Sequence, residues 1–376
     1  MPHSLIDRRR AVLELMTRAG VDRLVCCGNG HHMIDLDNPV AHMTGYRSVG
    51  PALLVIESDG GQDGRTRLLT SPSDEAETIG NLELDEVCAA DDVGVAAREF
   101  LGATCRTATV GLNEMPRRLA ATIESAMDGT AASLDAAFYA ATAAKTDDEI
   151  ADARRATHIA EAGYKRLLEI TRPGMRECDL AIELNLYMRE LGANDSFLML
   201  NCGAKQDAVM PSSERPIEAG DLLLCELSPS VRGQFTQICR TVTIGPALAI
   251  TAEKYPLLVA AMREGIARVK PGARLGDVCM AIDDHLSAEG YAKFSRPPFI
   301  RRRGHGLGCG STAPGDVSVE NDTILQPGML FMVHPNQFLP ETGYMMCGEP
   351  VLVTEGGHEV LTREFAALAS IDGRRA

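Results

Sequence analysis

A motif that recurs within the chain constrains the fold more than any single residue does. Pro173-Gly174-x-Arg176-x-x-Asp179 returns as Pro271-Gly272-x-Arg274-x-x-Asp277. The correspondence continues through Leu184 and Ile282, Met188 and Leu286, and Gly192 and Gly290, all at one offset. Each copy follows a long amphipathic helix, Thr146 to Ile170 in the first and Ala252 to Val269 in the second. Each copy is itself a helix closed by glycine, and strand-like sequence comes next. Two helix–helix–strand halves predict a pseudo-twofold domain, with helices packed on one sheet and a site where the halves meet.

The sequence ahead of the repeat reads as a separate α/β domain. A helix from Arg8 to Ala19 leads to a strand from Arg23 to Cys27 and a turn-rich stretch through Asn38-Pro39. Strands Ala52 to Glu57 and Thr66 to Ser71 flank the turn GGQDG. A helix from Val93 to Leu101, a strand from Thr107 to Leu112 and a helix from Glu114 to Met127 complete it. Thr146 followed by Asp147-Asp148-Glu149 starts a new helix, with acidic residues favourable in its first turn. The expected domains are therefore 1–144 and 145–376.

Composition restricts the partners. A net charge of -15 and a pI near 5.1 exclude a basic phosphate-binding face, so no nucleic acid is expected. No apolar run is long enough to cross a bilayer, so no membrane is expected, and the N-terminal stretch lacks the apolar core of a signal peptide. Eleven scattered cysteines then read as reduced, small apolar residues of a cytoplasmic protein.

Several polar residues lie in strand-like, otherwise apolar sequence. In Asp221-Leu-Leu-Leu-Cys-Glu226-Leu-Ser-Pro229, alternation puts Glu226 on one face with Leu222 and Leu224. The chain turns at Val231-Arg232-Gly233 and runs back from Gln234 to Ile244, with Gln237 and Cys239 sharing a face. A hairpin brings Glu226 close to Gln237. Gly304-His305-Gly306 sets a histidine between glycines, where backbone approaches a ligand closely. His334 ends the strand Met329 to His334, and Glu349 stands between Gly348 and Pro350. In Arg301-Arg302-Arg303, Arg302 faces opposite to its neighbours and is a candidate for an anionic substrate group. His31-His32 has no ligand pattern and reads as a loop.

These elements resemble the creatinase/aminopeptidase P/methionine aminopeptidase superfamily along essentially the whole chain. The signposts are Met43-Thr44-Gly45-Tyr46, Gly220-Asp221-Leu222, Arg240-Thr241-Val242, Gly304-His305-Gly306, Leu325-Gln326-Pro327-Gly328-Met329 and Val351-Leu352-Val353-Thr354. The resemblance implies α/β and α+β architecture: an N-terminal ribonuclease H-like domain followed by a C-terminal pita-bread domain. Peptidases of this superfamily bind two divalent metals through two Asp, one His and two Glu. Here the first Asp position holds Glu226 and the second Gln237. The His position is kept as His305. The first Glu position holds His334, and the second falls at Gly348, with Glu349 one residue out of register. Both bridging carboxylates are gone, and the histidine expected near Met210-Pro211 is missing. These departures resemble creatinase and ectoine hydrolase, which act without metal.

The resulting expectation is a hydrolase of a C–N bond, amide or amidine, in a small polar molecule, with no cofactor. Glu226 acts as nucleophile or general base, His305 and His334 shuttle protons, Gln237 donates to the substrate carbonyl or oxyanion, and Glu349 orients a histidine. Cys239 and Arg302 join the substrate-binding residues. Resemblance to creatinase-type enzymes adds a homodimer in which Tyr46 and Arg47 of one subunit help close the other's cleft, Arg47 meeting a substrate carboxylate. Three other readings stand beside this one. They are a single metal held by Glu226, His305 and His334, a non-catalytic pita-bread binding module, and an Xaa-Pro peptidase.

Overall fold

The computed structural model describes residues 4–74, 79, 82–127, 131–309 and 312–371. The chain divides into two units: Met1–Asp148 with Cys309–Ala313, and Glu149–Gly308 with Pro314–Ala376. In the first unit, strands β1 (Arg23–Gly28), β2 (Ala52–Glu57), β3 (Arg65–Thr70), β4 (Glu86–Ala89), β5 (Thr107–Val110) and β6 (Ala132–Ser133) form one sheet in the order β4-β3-β2-β1-β5-β6. β1 pairs antiparallel with β2 and parallel with β5. Both of its faces are covered, which is why Leu24-Val25-Cys26-Cys27 is an unbroken apolar run. One face packs Val12, Met16 and Phe138 of helices α1 (Leu5–Ala19) and α5 (Asp135–Thr142), with α2 (Pro39–Thr44) beside them. The other packs Phe100 and Ile123 of α3 (Val93–Leu101) and α4 (Arg117–Ala126). Ser4 and Asp7 form a capping box at the start of α1, and Gly20, at φ 67°, closes it. All eleven cysteines are free thiols.

The second unit realises the repeat. Long helices α6 (Asp147–Ile170) and α8 (Ala249–Ile266) each lead into a turn with glycine at positive φ, Gly174 at 88° and Gly272 at 81°. The following arginine does the same work in both halves. Arg176 bridges Pro216 and caps α7 (Glu177–Glu190), while Arg274 bridges Ile324 and caps α9 (Leu275–Leu286). Each guanidinium holds the repeat's Asp three residues on, at 2.7 Å for Asp179 and 3.0 Å for Asp277. Gly192 and Gly290 follow these helices at φ 102° and 90°.

Two sheets follow from the two halves. One has the order β17-β10-β8-β7, from β7 (Asp195–Gly203), β8 (Leu222–Val231), β10 (Ile238–Ile244) and β17 (Ala369–Ile371), with β9 (Gln234–Phe235) paired to β8. The other has the order β11-β12-β15-β16, from β11 (Gly304–Gly306), β12 (Leu330–Val333), β15 (Glu349–Thr354) and β16 (Gly357–Val360). A small hairpin pairs β13 (Gln337–Leu339) with β14 (Gly343–Met345). Leu180, Leu184 and Met188 of α7 and Ile159 of α6 pack on Leu223, Cys225 and Leu227 of β8, filling the core of the first half.

The halves join at one antiparallel bridge, Cys239 to Gly348, with N–H···O distances of 3.3 and 3.1 Å. Pro216 and Ile324, Gly220 and Gly328, and Leu222 and Leu330 stand at one common offset. At that same offset Glu226 corresponds to His334. The strand expected from Gln234 to Ile244 is in two pieces, with Thr236-Gln237 lying between β9 and β10, where the Thr236 N–H still donates to the Pro229 carbonyl of β8 at 3.2 Å. The stretch from Gly343 to Thr354 is likewise split between β14 and β15.

Candidate active site

Glu226 lies in β8 between Met199 of β7 and Cys239 of β10, which is its direct cross-strand neighbour. Its side chain is half-buried, while Cys239 is fully buried beneath it. The Cys239 thiol donates to Glu226 Oε1 at 3.8 Å. Burial, and then the Glu226 charge, push that thiol well above its usual range, so it stays protonated and serves as a weak donor. Cys239 therefore supports the carboxylate from behind. Gln237, released from the ladder, reaches Glu226 diagonally, with Nε2 3.5 Å from Oε2.

The other end of the Gln237 amide meets His305, whose Nε2 stands 3.1 Å from Oε1. His305 Nδ1 is 2.9 Å from the Gly306 carbonyl. The ring thus faces an oxygen at each nitrogen. The imidazolium satisfies both, and the neutral ring only one. Sequence reasoning gave Gln237 to the substrate. Its amide is instead engaged at both ends and links Glu226 to His305.

His334 completes the group, its ring 5.4 Å from that of His305. Burial, then the charges of His305 and Arg302, push its pKa well below the ordinary value, so the ring is neutral. His42, buried in the first unit with Nε2 2.9 Å from Thr142 Oγ1, is pushed down in the same direction by burial and by Arg8. In both cases the unfolded chain takes up a proton near pH 6.5 that the folded chain refuses. Stability is therefore expected to be lost as pH falls below that value, by up to about 1.4 kcal/mol per pH unit for each ring. Denaturation midpoints of wild type, His42→Gln and His334→Asn across this range check the sign. A slope unchanged in both variants refutes it.

Glu349 does not meet a histidine. It is fully buried and pairs with Arg240 at 3.1 Å, while Thr362 Oγ1 donates to it at 2.7 Å and the Ala366 N–H at 2.6 Å. Arg240 also donates to the Gly348 carbonyl at 2.7 Å, so this pair pins β10 to β15. Arg302 is half-exposed and paired with Asp316 at 2.8 Å. The buried member of the arginine run is Arg303, paired with Asp283 at 2.7 Å and bonded to Gln337 at 3.1 Å. In the first unit Tyr46 packs on the core beside Met43, its hydroxyl 3.2 Å from Thr70 Oγ1. Arg47 is half-buried in the same unit.

Sequence reasoning missed Arg303, Asn336 and Tyr344. Three adjacent arginines gave no sign of which one turns inward. The signal for Asn336 was weak but present: a buried amide directly after His-Pro, where proline ends the ladder.

The dinuclear metal centre implied by the resemblance does not fit these residues. Gln237 offers an amide where a bridging carboxylate is required. Gly348 offers no side chain, and there is no room for one: a Cβ there would collide with Met332 Cε and lie 2.8 Å from His334 Cβ. Both ring nitrogens of His305 are engaged with oxygens. Among the described residues, no group of three or more His, Cys, Asp and Glu side chains is placed to hold a metal ion.

Comparison with known proteins agrees with the fold. A profile described as "Metallopeptidase family M24" matches residues 151–355, more than half of the chain. An uncharacterized peptidase of Bacillus subtilis, YqhT, is 31% identical over 221 residues, which cover 58% of this chain and 62% of that protein. A Xaa-Pro dipeptidase of Pyrococcus furiosus is 25% identical over 222 residues, 58% of this chain and 63% of that protein. The match thus spans about three fifths of the length of these curated relatives. Among solved structures, the prolidase of Pyrococcus horikoshii superposes with a TM-score of 0.82 at 18% identity, covering 96% of this chain and 99% of that one. The Xaa-Pro dipeptidase of Bacillus anthracis gives 0.81 at 22% identity, covering 98% and 100%. With the repeat-built fold and the profile match together, the chain belongs to metallopeptidase family M24, within the pita-bread superfamily of creatinase and aminopeptidase P.

Proposed function

We propose that this member of a hydrolase family cleaves an amide- or amidine-type C–N bond in a small polar molecule, as creatinase and ectoine hydrolase do, with Glu226 supplying what a dinuclear metal centre supplies in the peptidases. The observation that carries this reading is the link Glu226–Gln237–His305, which occupies the ligand positions with a carboxylate, an amide and an imidazole already bonded to one another. A peptide bond is itself an amide C–N bond. The reading therefore keeps the bond class of the peptidase relatives and changes the source of the nucleophile.

In this scheme Glu226 activates a water or attacks the substrate carbon itself, forming a tetrahedral centre. His305, held between two oxygens, delivers a proton to the leaving nitrogen. In the direct-attack route the water that resolves the intermediate gives its proton to His305, which has lost its own to the leaving nitrogen, with the neutral His334 ring beside it. Cys239 keeps the carboxylate oriented, and Arg240 with Glu349 keeps the two sheets in place.

The names of the relatives favour a second reading, a metal-dependent Xaa-Pro peptidase. Elemental analysis after gentle purification, combined with turnover in chelator, separates the two. Far less than two equivalents of divalent metal, and chelator-insensitive cleavage of amide or amidine compounds, are expected. Two tightly held ions, with activity on Xaa-Pro dipeptides that chelator abolishes, would establish the peptidase. No turnover of any such compound would leave the binding-module reading. Light scattering on the same preparation is expected to give a homodimer, with Tyr46 and Arg47 of one subunit offered to the site of the other. No described helix is long and apolar enough to cross a membrane. A cytoplasmic location, which the free thiols suit, belongs to the same proposal.

A further inference from the structure

Two buried polar atoms near Glu226, Nδ1 of His334 and Oδ1 of Asn336, have no partner from another described residue. Their residues are only 7% and 2% exposed. Buried polar groups are almost always hydrogen-bonded, so two orphans on one short stretch call for an explanation.

The stretch His334-Pro335-Asn336 leaves β12 and is firmly held. The His334 N–H donates to the Arg303 carbonyl at 2.9 Å. The Arg303 guanidinium donates to the carbonyls of Pro335 at 3.4 Å and Asn336 at 3.3 Å. Arg303 is itself anchored by Asp283.

Two separate links turn this stretch toward Glu226. The His334 ring contacts the His305 ring, which is joined through Gln237 to Glu226. The Asn336 side chain lies beside the Tyr344 phenol, which is close enough to Glu226 to feel its charge. Oδ1 is the unpartnered end of the Asn336 amide, and a carbonyl oxygen can only accept. The unpartnered groups are therefore an amide oxygen, which only accepts, and a neutral imidazole nitrogen, which accepts when the ring's proton is on Nε2, on a stretch linked to a carboxylate. The nearby cations Arg302 and Arg303 are both committed to aspartates. A carboxylate ligand would set its oxygens against Asn336 Oδ1 and Glu226. An N–H donor is what these atoms can satisfy.

We propose that Asn336 and His334 form the subsite for the nitrogen end of the substrate, a planar C–NH2 group of an amide, urea or amidine. This rests on the proposed C–N hydrolysis and names which end of the bond lies where. Asn336 and His334 bind the nitrogen, and Glu226 faces the carbon.

The test is ligand-observed NMR titration of the full chain with acetamide, acetamidinium and acetate. Acetamide and acetamidinium are expected to bind at least tenfold more tightly than acetate. Asn336→Ala should weaken both nitrogen probes at least tenfold and leave acetate as it was. Asn336→Asp, nearly isosteric and usable if the alanine variant does not fold, should raise the preference for acetamidinium over acetamide at least tenfold. The wild-type order of the two nitrogen probes tells a charged substrate from a neutral one. Acetate binding as tightly as either nitrogen probe, nitrogen probes that do not bind, or an unchanged preference in Asn336→Asp would overturn the subsite. The readout is equilibrium binding. A chain that binds acetamide through Asn336 yet hydrolyses no C–N bond therefore refutes the reaction and keeps the subsite, and turnover without this selectivity does the reverse.

Discussion

Glu226→Gln is expected to fold with an unchanged denaturation midpoint and to lose roughly 10²–10⁴-fold in kcat, the range for a positioned acid–base group. The fold should survive because the amide oxygen keeps one of the two contacts, from Cys239 or from Gln237, and the side chain is only half-buried. The rate should not, since an amide neither takes a proton from water nor attacks a carbon. Glu226→Asp is expected to fail as well, because a carboxylate one methylene shorter draws back from the reacting carbon. Single turnover in heavy-oxygen water distinguishes the two roles. Label in the Glu226 carboxylate marks direct attack, and its absence marks activation of water. Near-normal turnover by Glu226→Gln would remove the whole site assignment.

The largest stability effect should come from a residue that sequence reasoning placed in the chemistry. Glu349→Ala leaves the Arg240 guanidinium, 2% exposed, without its counter-charge, and strips the Thr362 hydroxyl and the Ala366 N–H of their acceptor. Breaking a buried ion pair from one side costs about 3–5 kcal/mol, because the remaining charge has no water to turn to. The second unit should therefore melt earlier in denaturant, while the protein still folded keeps its kcat within a few-fold. Glu349→Gln keeps one acceptor oxygen, for the Ala366 N–H, and its NH2 can donate to a reoriented Thr362 hydroxyl, so it should fall between. Loss of kcat at unchanged stability would return Glu349 to the catalytic group.

The fold was legible because the repeat states it twice. The same turn, the same arginine bridge and the same Arg–Asp pair start α7 and α9, and each depends on residue types that sequence displays directly. Of the site, alternation placed Glu226, and its hairpin partner was found to within two residues. Cys239 faces it directly, while Gln237 reaches it only because the strand breaks at Thr236-Gln237. Alternation cannot foresee such a break, since a broken strand and a continuous one share the same apolar pattern. Glu349 was misread for a related reason. Sequence shows that a carboxylate is near the site but not which way it faces, and here the Arg240 cation draws it to the far side of the sheet join. The inward turn of Arg303 rather than Arg302 depends on Asp283, a residue on a distant helix whose approach no local pattern predicts.

The Gln237 amide has a consequence for how charge is kept in this centre. Its two ends are not interchangeable: a carbonyl oxygen is turned to the imidazole and an NH2 to the carboxylate. The oxygen favours a proton on His305, and the NH2 favours a bare negative charge on Glu226. Yet an amide, unlike a carboxylic acid, has no easy way to pass a proton from one end to the other. In the proposed reaction Gln237 is therefore an insulator, coupling the acid and the base electrically while preventing them from neutralising each other through it. A carboxylate in the same place would be a conductor, and the two charges could then discharge across it before any substrate arrived.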